Sequence, residues 1–163
     1  WATAAPVLER DVPVVVHAPS RQSLKGTAAV ESAIAPLMAE GLVDYRLVEG
    51  VAPAEMPSVI AGADIVLDQF ALGSYGVLAV QAMAAGRVVV GHVTETVRGR
   101  CPGGLPIVEA TPDTLTAVLR HLIATGRGEG TAAAKAGAAY AGQVHDGRLA
   151  AGILADGLGL RRS

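Results

Sequence analysis

Residues 63–90, ADIVLDQFALGSYGVLAVQAMAAGRVVV, decide the fold of this chain. They begin with a short β-branched run, pass through a Gly-Ser-Tyr-Gly turn at residues 73–76, and continue into an apolar helix predicted over residues 75–85. A second β-branched run, predicted as a strand over residues 88–93, follows Gly86. Strand, helix and strand in succession form a βαβ unit, which is typical of a parallel sheet covered on both faces.

The rest of the chain repeats this alternation. Further strands are predicted over residues 12–17, 45–50, 64–70 and 105–109. Helical spacing of apolar residues predicts helices after residue 26 and after Thr111, and Pro36 should either kink the first helix or start a fresh turn. Two alanine-rich helices, broken near Gly142 and Asp146, end the chain. We therefore predict a Rossmann-like, doubly wound α/β fold with helices on both faces of a parallel sheet.

The predicted domain covers residues 12–163, and residues 1–11 are interpreted as a leader or linker remnant because they lack periodicity. The sequence starts at Trp1 without an initiating methionine, so we expect a fragment of a longer protein.

Composition limits the classes of partner. A formal net charge of −2 and a pI near 6.1 give no electrostatic reason to expect nucleic acid or an anionic membrane. The single cysteine, Cys101, excludes an internal disulfide and a zinc cluster, which fits a cytoplasmic location. The uncharged run over residues 69–86 contains two glutamines and a glycine turn, so we interpret it as protein core rather than a membrane span.

Gln81 is the one strongly polar side chain within the predicted apolar helix. Leaving its amide unpaired in an apolar environment would cost a few kcal/mol. We therefore expect a hydrogen-bonding partner for Gln81, supplied either by the protein or by a ligand.

Ligands of such folds bind at the carboxyl ends of the strands, which points to the loops 18–26, 50–54, 69–76 and 92–96. The first loop places Arg21 and Lys25 before a helix, where an anion would meet two cations and helix N–H groups. The alternative is a solvated polar loop. The glycines of the turn at residues 73–76 would let a phosphate or sugar approach the backbone, or they only shape a tight turn. Neither loop carries a dinucleotide or Walker fingerprint.

Four segments together give a more specific signal. They are Arg21 with Lys25-Gly26, Glu49-Gly50-Val51 followed by Glu55, the strand start ADIVL at residues 63–67, and AMAAGRVV at residues 82–89. With them the sequence resembles the C-terminal, nucleotide-sugar-binding domain of GT-B glycosyltransferases, in particular the group-1, family-4-like retaining enzymes. The resemblance is close over residues 12–93 and loose in the C-terminal helices.

The resemblance implies the site. Arg21 and Lys25 would act in catalysis by neutralising the leaving diphosphate, helped by the helix start. Gly50 and Val51 would hold the base through their backbone, and Gln81 would hold the ribose. The remaining donor contacts would come from the turn and helix start: Gly73, Ser74, Tyr75, Gly76 and Val77. The donor would be a UDP- or GDP-linked sugar, with no further cofactor and no metal.

The sequence departs from the family at two positions. Family members usually carry two glutamates eight positions apart, and here Gly73 and Gln81 stand in their places. The D-Q-F…G-x-Y-G form, however, resembles a subgroup that has dispensed with the first glutamate. A neutral acceptor at residue 81 would lose on the order of 1 kcal/mol of ribose binding.

The resemblance thus implies the donor-binding half of a hexosyltransferase, inactive alone because the acceptor-binding N-terminal domain is missing. The alternative is a non-catalytic, Rossmann-like nucleotide-binding or scaffold module derived from that family. A dinucleotide-dependent oxidoreductase is disfavoured by the lack of a glycine fingerprint. We expect structural roles for His17 and Cys101, and His92 is a weaker candidate for lining the site.

Overall fold

The computed structural model of the protein describes residues 6–20, 25–126 and 128–159. The strands are β1 Val14–His17, β2 Asp44–Leu47, β3 Ile65–Leu67, β4 Val88–Gly91 and β5 Val108–Glu109. The helices are α1 Thr27–Ala39, α2 Met56–Gly62, α3 Val77–Ala84, α4 Glu95–Arg98, α5 Leu115–Thr125, α6 Glu129–Val144 and α7 Arg148–Gly157.

The strands form one parallel sheet in the order β2-β1-β3-β4-β5. The chain moves outward from β1 to β2, then crosses back to β3 on the other side of β1. The crevice at the carboxyl ends of β1 and β3 is therefore the topological switch point, where ligands of doubly wound folds bind. The predicted Rossmann-like α/β fold is confirmed.

Alternate side chains of each strand enter one of two apolar cores. Val15, Ile65 and Val88 face the core formed with α1 and α5. Val16 and Val66 face the opposite core, formed with α2, α3 and much of α6. Burial on both faces explains why the strands contain continuous β-branched runs rather than polar alternation.

Helix α1 runs through Pro36 to Ala39, although proline cannot donate a backbone hydrogen bond there, and the kink at Pro36 stays a prediction. The predicted break between the two C-terminal helices is confirmed near Asp146, whereas α6 continues through Gly142 to Val144. Packing of α6 against α3 and β4 supplies stabilisation that outweighs the modest helix penalty of one glycine. No helix among the described residues is long and apolar enough to span a membrane.

The segment before β1 is tied to the sheet by one buried carboxylate. Asp64 accepts hydrogen bonds from the Leu8 N–H at 2.9 Å and the Val14 N–H at 2.9 Å, and it forms an ion pair with Arg10. Val7 and Leu8 are buried in the core between α1 and α5. Residues 7–8, which the sequence interpretation leaves outside the domain, thus add to its core.

His17 connects β1 to its neighbours from within the core. Its Nδ1 donates to the Leu67 carbonyl at 2.9 Å, and its Nε2 accepts from the Thr27 hydroxyl at 3.0 Å. Burial is the main reason that the pKa of His17 lies below its ordinary value, despite the Leu67 hydrogen bond. The imidazole fixes the start of α1 against β1 and β3, which is the structural role expected from the sequence.

Replacement of Asp64 tests its role in anchoring the N-terminal segment. We expect Asp64→Ala to lower the free energy of unfolding by about 3–5 kcal/mol, since buried donors and Arg10 lose their acceptor. Asp44→Ala, at the exposed Asp44–Arg46 pair, is the matched control and should cost less than about 1 kcal/mol. Urea denaturation measures both variants, and equal losses would contradict the anchoring role.

The buried imidazole also predicts a pH dependence of stability. Because the pKa of His17 is lower in the folded protein than in the unfolded chain, the unfolded chain takes up the proton first as the pH falls below 6.5. This contribution to stability is therefore complete above pH 6.5 and is lost progressively as the pH falls. The stability advantage of wild type over His17→Gln should therefore shrink between pH 7.5 and 5, by at most about 1.4 kcal/mol per pH unit. His121→Gln, at an exposed histidine, is the control. An advantage that stays constant with pH would contradict this account.

Candidate functional site

The crevice at the switch point lies between two helix starts. Helix α1 begins after Gly26, which has a φ of +74°, and α3 begins after Gly76. Neither glycine has a side chain to cap its helix. The first backbone N–H groups of a helix have no intrahelical partner, and they carry the positive end of the helix dipole. Two uncapped helix starts at one crevice form a suitable environment for an anion.

Lys25 and Asp68 form an ion pair in this crevice. The Lys25 Nζ lies 2.5 Å from Asp68 Oδ1, and the two side chains are only 12% and 2% exposed. The other carboxylate oxygen of Asp68 accepts a hydrogen bond from the Gly76 N–H at 2.8 Å. The Asp68 carboxylate therefore contacts both Lys25 and the start of α3, the two groups that the sequence predicts to bind a diphosphate.

The pairing leaves Lys25 able to bind a further anion. An ammonium group has three donors, and Asp68 uses one of them. A phosphate entering the crevice would meet the remaining donors of Lys25 and the first-turn N–H groups of α3. It would also be repelled by the Asp68 carboxylate, which lowers the net attraction. Arg21, the second predicted cation, lies outside the described residues.

The turn that leads into α3 is held by side chains at the end of β3 and after β4. The Gln69 amide donates to the Ser74 carbonyl at 2.6 Å. The Gly73 carbonyl accepts from the Thr94 N–H at 3.0 Å and from the Thr94 hydroxyl at 3.2 Å. The backbone of residues 73–76 is therefore fixed from both sides, as a preorganised binding turn requires.

Gly73 occupies a position where a side chain cannot be added without rearrangement. Its φ is +64°, and a Cβ there would lie 2.6 Å from the Thr94 Cγ2. Positive φ disfavours any non-glycine residue, and the contact with Thr94 adds steric repulsion. The family glutamate that is missing at residue 73 is thus incompatible with this conformation of the turn.

The side chain of Tyr75 packs on neighbouring protein groups. Its hydroxyl lies 3.3 Å from His145 Nε2 and 3.9 Å from the Cys101 Sγ, and burial raises its pKa. Cys101 also donates to the Val97 carbonyl at 3.3 Å. The contribution of Tyr75 to a ligand would therefore come from its backbone, and the surroundings of Cys101 agree with the structural role expected for it.

Gln81 lies on a half-exposed face of α3. It is partly buried, and it follows Val77, which is 73% exposed, by one helical turn. The expectation of an apolar environment enclosing Gln81 is wrong, because α3 starts at the crevice and turns this face outward. Its amide makes no hydrogen bond to the part of the chain that the structure describes, so it is available to a ligand or to water.

The loop after β2 lies beside the loop after β1, since β2 and β1 are neighbours in the sheet. Gly50 has a φ of +67° and is exposed, and Val51 is half-buried. Their backbone groups are on the same edge of the sheet as Lys25. The structure thus places Lys25, Gly50, Val51 and the α3 start at the same edge of the sheet.

Asp68 and Gln69 belong to the candidate site, and the sequence interpretation missed them. The signal was present as the D-Q pair directly after a buried strand, where two polar residues interrupt an apolar run. Both side chains belong to residues that are at most 5% exposed, and both are hydrogen-bonded within the turn region. Polar side chains predicted to be buried need hydrogen-bonding partners, and a search for those partners would have identified both residues.

Comparison with known proteins supports the fold. No protein-family model and no curated protein matches the sequence. The chain is similar to Anabaena HepE solved in complex with UDP and glucose, with a TM-score of 0.70 at 17% identity over 93% of this chain and 49% of that one. A second HepE structure contains UDP-glucose, and it matches with a TM-score of 0.70 at 18% identity, covering 93% of this chain and 50% of that one.

A third similar structure is that of WaaG, a glycosyltransferase involved in lipopolysaccharide biosynthesis. It matches with a TM-score of 0.58 at 17% identity, over 85% of this chain and 45% of that one. The chain spans about half the length of the structures it matches. At these identities the similarity establishes the fold, and the chain has the Rossmann-like fold of a domain of GT-B glycosyltransferases.

Proposed function

We propose that this chain is the donor-binding domain of a glycosyltransferase that moves a sugar from a nucleotide diphosphate to an acceptor. The observation that carries the proposal is the crevice at the β1–β3 switch point, where Lys25 meets the uncapped start of α3. The fold it shares with HepE, which has been solved with UDP-glucose, supports the same class of ligand.

In this proposal the diphosphate lies against Lys25, Arg21 and the backbone of Gly76 and Val77. The backbone of Gly50 and Val51 contacts the base, and the amide of Gln81 accepts from the ribose hydroxyls. The turn formed by Gly73, Ser74 and Tyr75 borders the sugar. The donor is UDP- or GDP-linked.

Charge stabilisation is the chemistry that these residues supply. When the bond from the sugar to the diphosphate breaks, negative charge develops on the leaving oxygen. A preorganised ammonium and helix N–H groups stabilise that charge more in the transition state than in the ground state. Asp68 holds Lys25 in place and thereby removes the entropic cost of ordering a flexible side chain at that moment.

The acceptor site belongs in this proposal to a second domain, as does any catalytic base. The chain alone should therefore bind a donor and transfer nothing. The hexosyltransferase type and the cytoplasmic location are part of the same proposal.

Removal of the lysine charge tests the diphosphate assignment. We expect Lys25→Met to weaken UDP binding about 10- to 100-fold, because one charge-assisted contact contributes about 1.5–3 kcal/mol. The same change strands the buried carboxylate of Asp68 and should lower stability. Isothermal titration calorimetry with UDP and with UDP- and GDP-sugars measures the binding.

Two further variants separate binding from folding. The double variant Lys25→Met/Asp68→Asn removes both charges, so it should regain stability. It also loses the repulsion between Asp68 and the phosphate, so it should bind UDP more tightly than Lys25→Met but more weakly than wild type. Lys135→Met, at the chain's other lysine, which is exposed, should bind UDP like wild type. Wild-type affinity in the double variant would contradict the role of Lys25. The absence of heat with every nucleotide for the wild type would favour the non-catalytic scaffold module.

The ribose assignment is tested by restoring a charged acceptor at residue 81. Gln81→Glu should tighten UDP binding by about fivefold, since a carboxylate accepts from hydroxyls more strongly than an amide by roughly 1 kcal/mol. Gln143→Glu adds the same charge at an exposed position on α6 and should leave UDP affinity unchanged. Unchanged or weaker binding by Gln81→Glu in calorimetry would count against the ribose contact.

A further inference from the structure

His92 directly follows β4, at the edge of the sheet that carries the crevice. Its Nδ1 lies 2.6 Å from Glu109 Oε1. The second oxygen of Glu109 accepts from the Val93 N–H at 2.9 Å and from the Arg98 Nη2 at 2.8 Å. The carboxylate is thus clamped by donors from three residues, and it fixes the orientation of the imidazole ring.

The same contacts decide which nitrogen is free. Burial opposes ionisation of Glu109, but the hydrogen bonds from His92, Val93 and Arg98 hold the pKa of its carboxyl below the ordinary value. An ionised carboxylate only accepts, so Nδ1 of His92 carries the hydrogen. Nε2 is then the nitrogen left for a further partner: an acceptor in neutral imidazole and a donor in imidazolium.

Nε2 of His92 faces the turn that leads into α3. It lies 3.8 Å from the position that a Cβ of Gly73 would occupy. It forms no hydrogen bond to any residue within the described ranges, and the side chain is 29% exposed. An oriented, accessible nitrogen without a protein partner therefore borders the turn between Gly73 and the α3 start.

The chain contains a second histidine–glutamate pair that lacks these features. His121 and Glu129 are 2.7 Å apart, but they are 59% and 64% exposed and lie on α5 and α6. The His121–Glu129 pair is thus an ordinary surface pair, whereas the ring of His92 is oriented by a carboxylate that other donors hold in place.

We propose that His92, positioned by Glu109, binds a hydroxyl group of the donor's sugar through Nε2 and so contributes to recognition of the sugar. This inference rests on the proposed function of the crevice. A sugar hydroxyl both donates and accepts, so it suits an imidazole nitrogen in either protonation state. A site built to hydrogen-bond a hydroxyl discriminates against ligands that lack it, because the protein group is then left unpaired.

The experiment compares a nucleotide with and without its sugar. Calorimetry is performed on the whole chain with UDP, UDP-glucose, UDP-galactose and UDP-N-acetylglucosamine, and the UDP-sugar that wild type binds most tightly is taken as the probe. For His92→Phe we expect the ratio of the Kd for that UDP-sugar to the Kd for UDP to rise about five- to tenfold. The Kd for UDP itself should stay within about twofold of wild type.

Two further variants test whether a change in the Kd ratio could come from loss of folding rather than loss of the hydrogen bond. His92→Gln keeps a hydrogen-bonding group near the position of Nε2 and should retain most of the wild-type ratio. His121→Phe removes the matched surface histidine and should change neither Kd. Thermal unfolding of each variant shows whether the fold is intact.

The outcomes separate this inference from the proposed function. UDP binding by wild type, together with an unchanged ratio in His92→Phe, overturns the role of His92 and leaves the donor-binding proposal standing. Binding of UDP but of none of the UDP-sugars overturns it as well. Failure of wild type to bind any of the four ligands contradicts a UDP-sugar donor and removes the basis of the inference.

Discussion

The carboxylate of Asp68 is the group on which the geometry of the crevice depends. It lies just after β3 and bonds to Lys25 before α1 and to Gly76 before α3, so it joins three segments that are distant in sequence. A carboxylate that is almost fully buried is tolerated only when its oxygens are paired. The two partners therefore pair both oxygens of Asp68, and Asp68 in turn holds them at the switch point.

This arrangement gives the crevice an unusual electrostatic character. A loop with a free lysine would attract any anion, whereas the charges of Lys25 and Asp68 largely offset each other. In the proposed function, an anion would be bound through the remaining donors of Lys25 and the directional backbone N–H groups of the α1 and α3 starts. Such a site would favour a ligand whose phosphates fit between the helix starts over a small anion in solution.

The departures from the family pattern acquire a physical meaning in the same region. Thr94 and the positive φ of Gly73 leave no room for a glutamate side chain in the turn, so that absence is a property of the backbone. Gln81 is different, because it stands on a half-exposed helix face where a carboxylate would fit. The free nitrogen of His92 lies next to Gly73 and supplies a polar group beside a residue that has no side chain. The missing glutamate at residue 73 is thus linked to the neighbouring His92, whereas the substitution at Gln81 is a separate change.

By itself, the sequence determined the parallel Rossmann-like fold, because β-branched runs and apolar helical spacing depend only on neighbouring residues. It also pointed to Lys25 and to the α3 start, since a cation and glycines after strands are visible locally. It did not show Asp68 as the partner of Lys25, 43 residues away, or Glu109 as the partner of His92. Those contacts exist because β1 lies beside β3 and β4 beside β5 in the sheet. Strand order is a property of the whole packed chain, and only the tertiary structure decides which polar side chains meet at its edge.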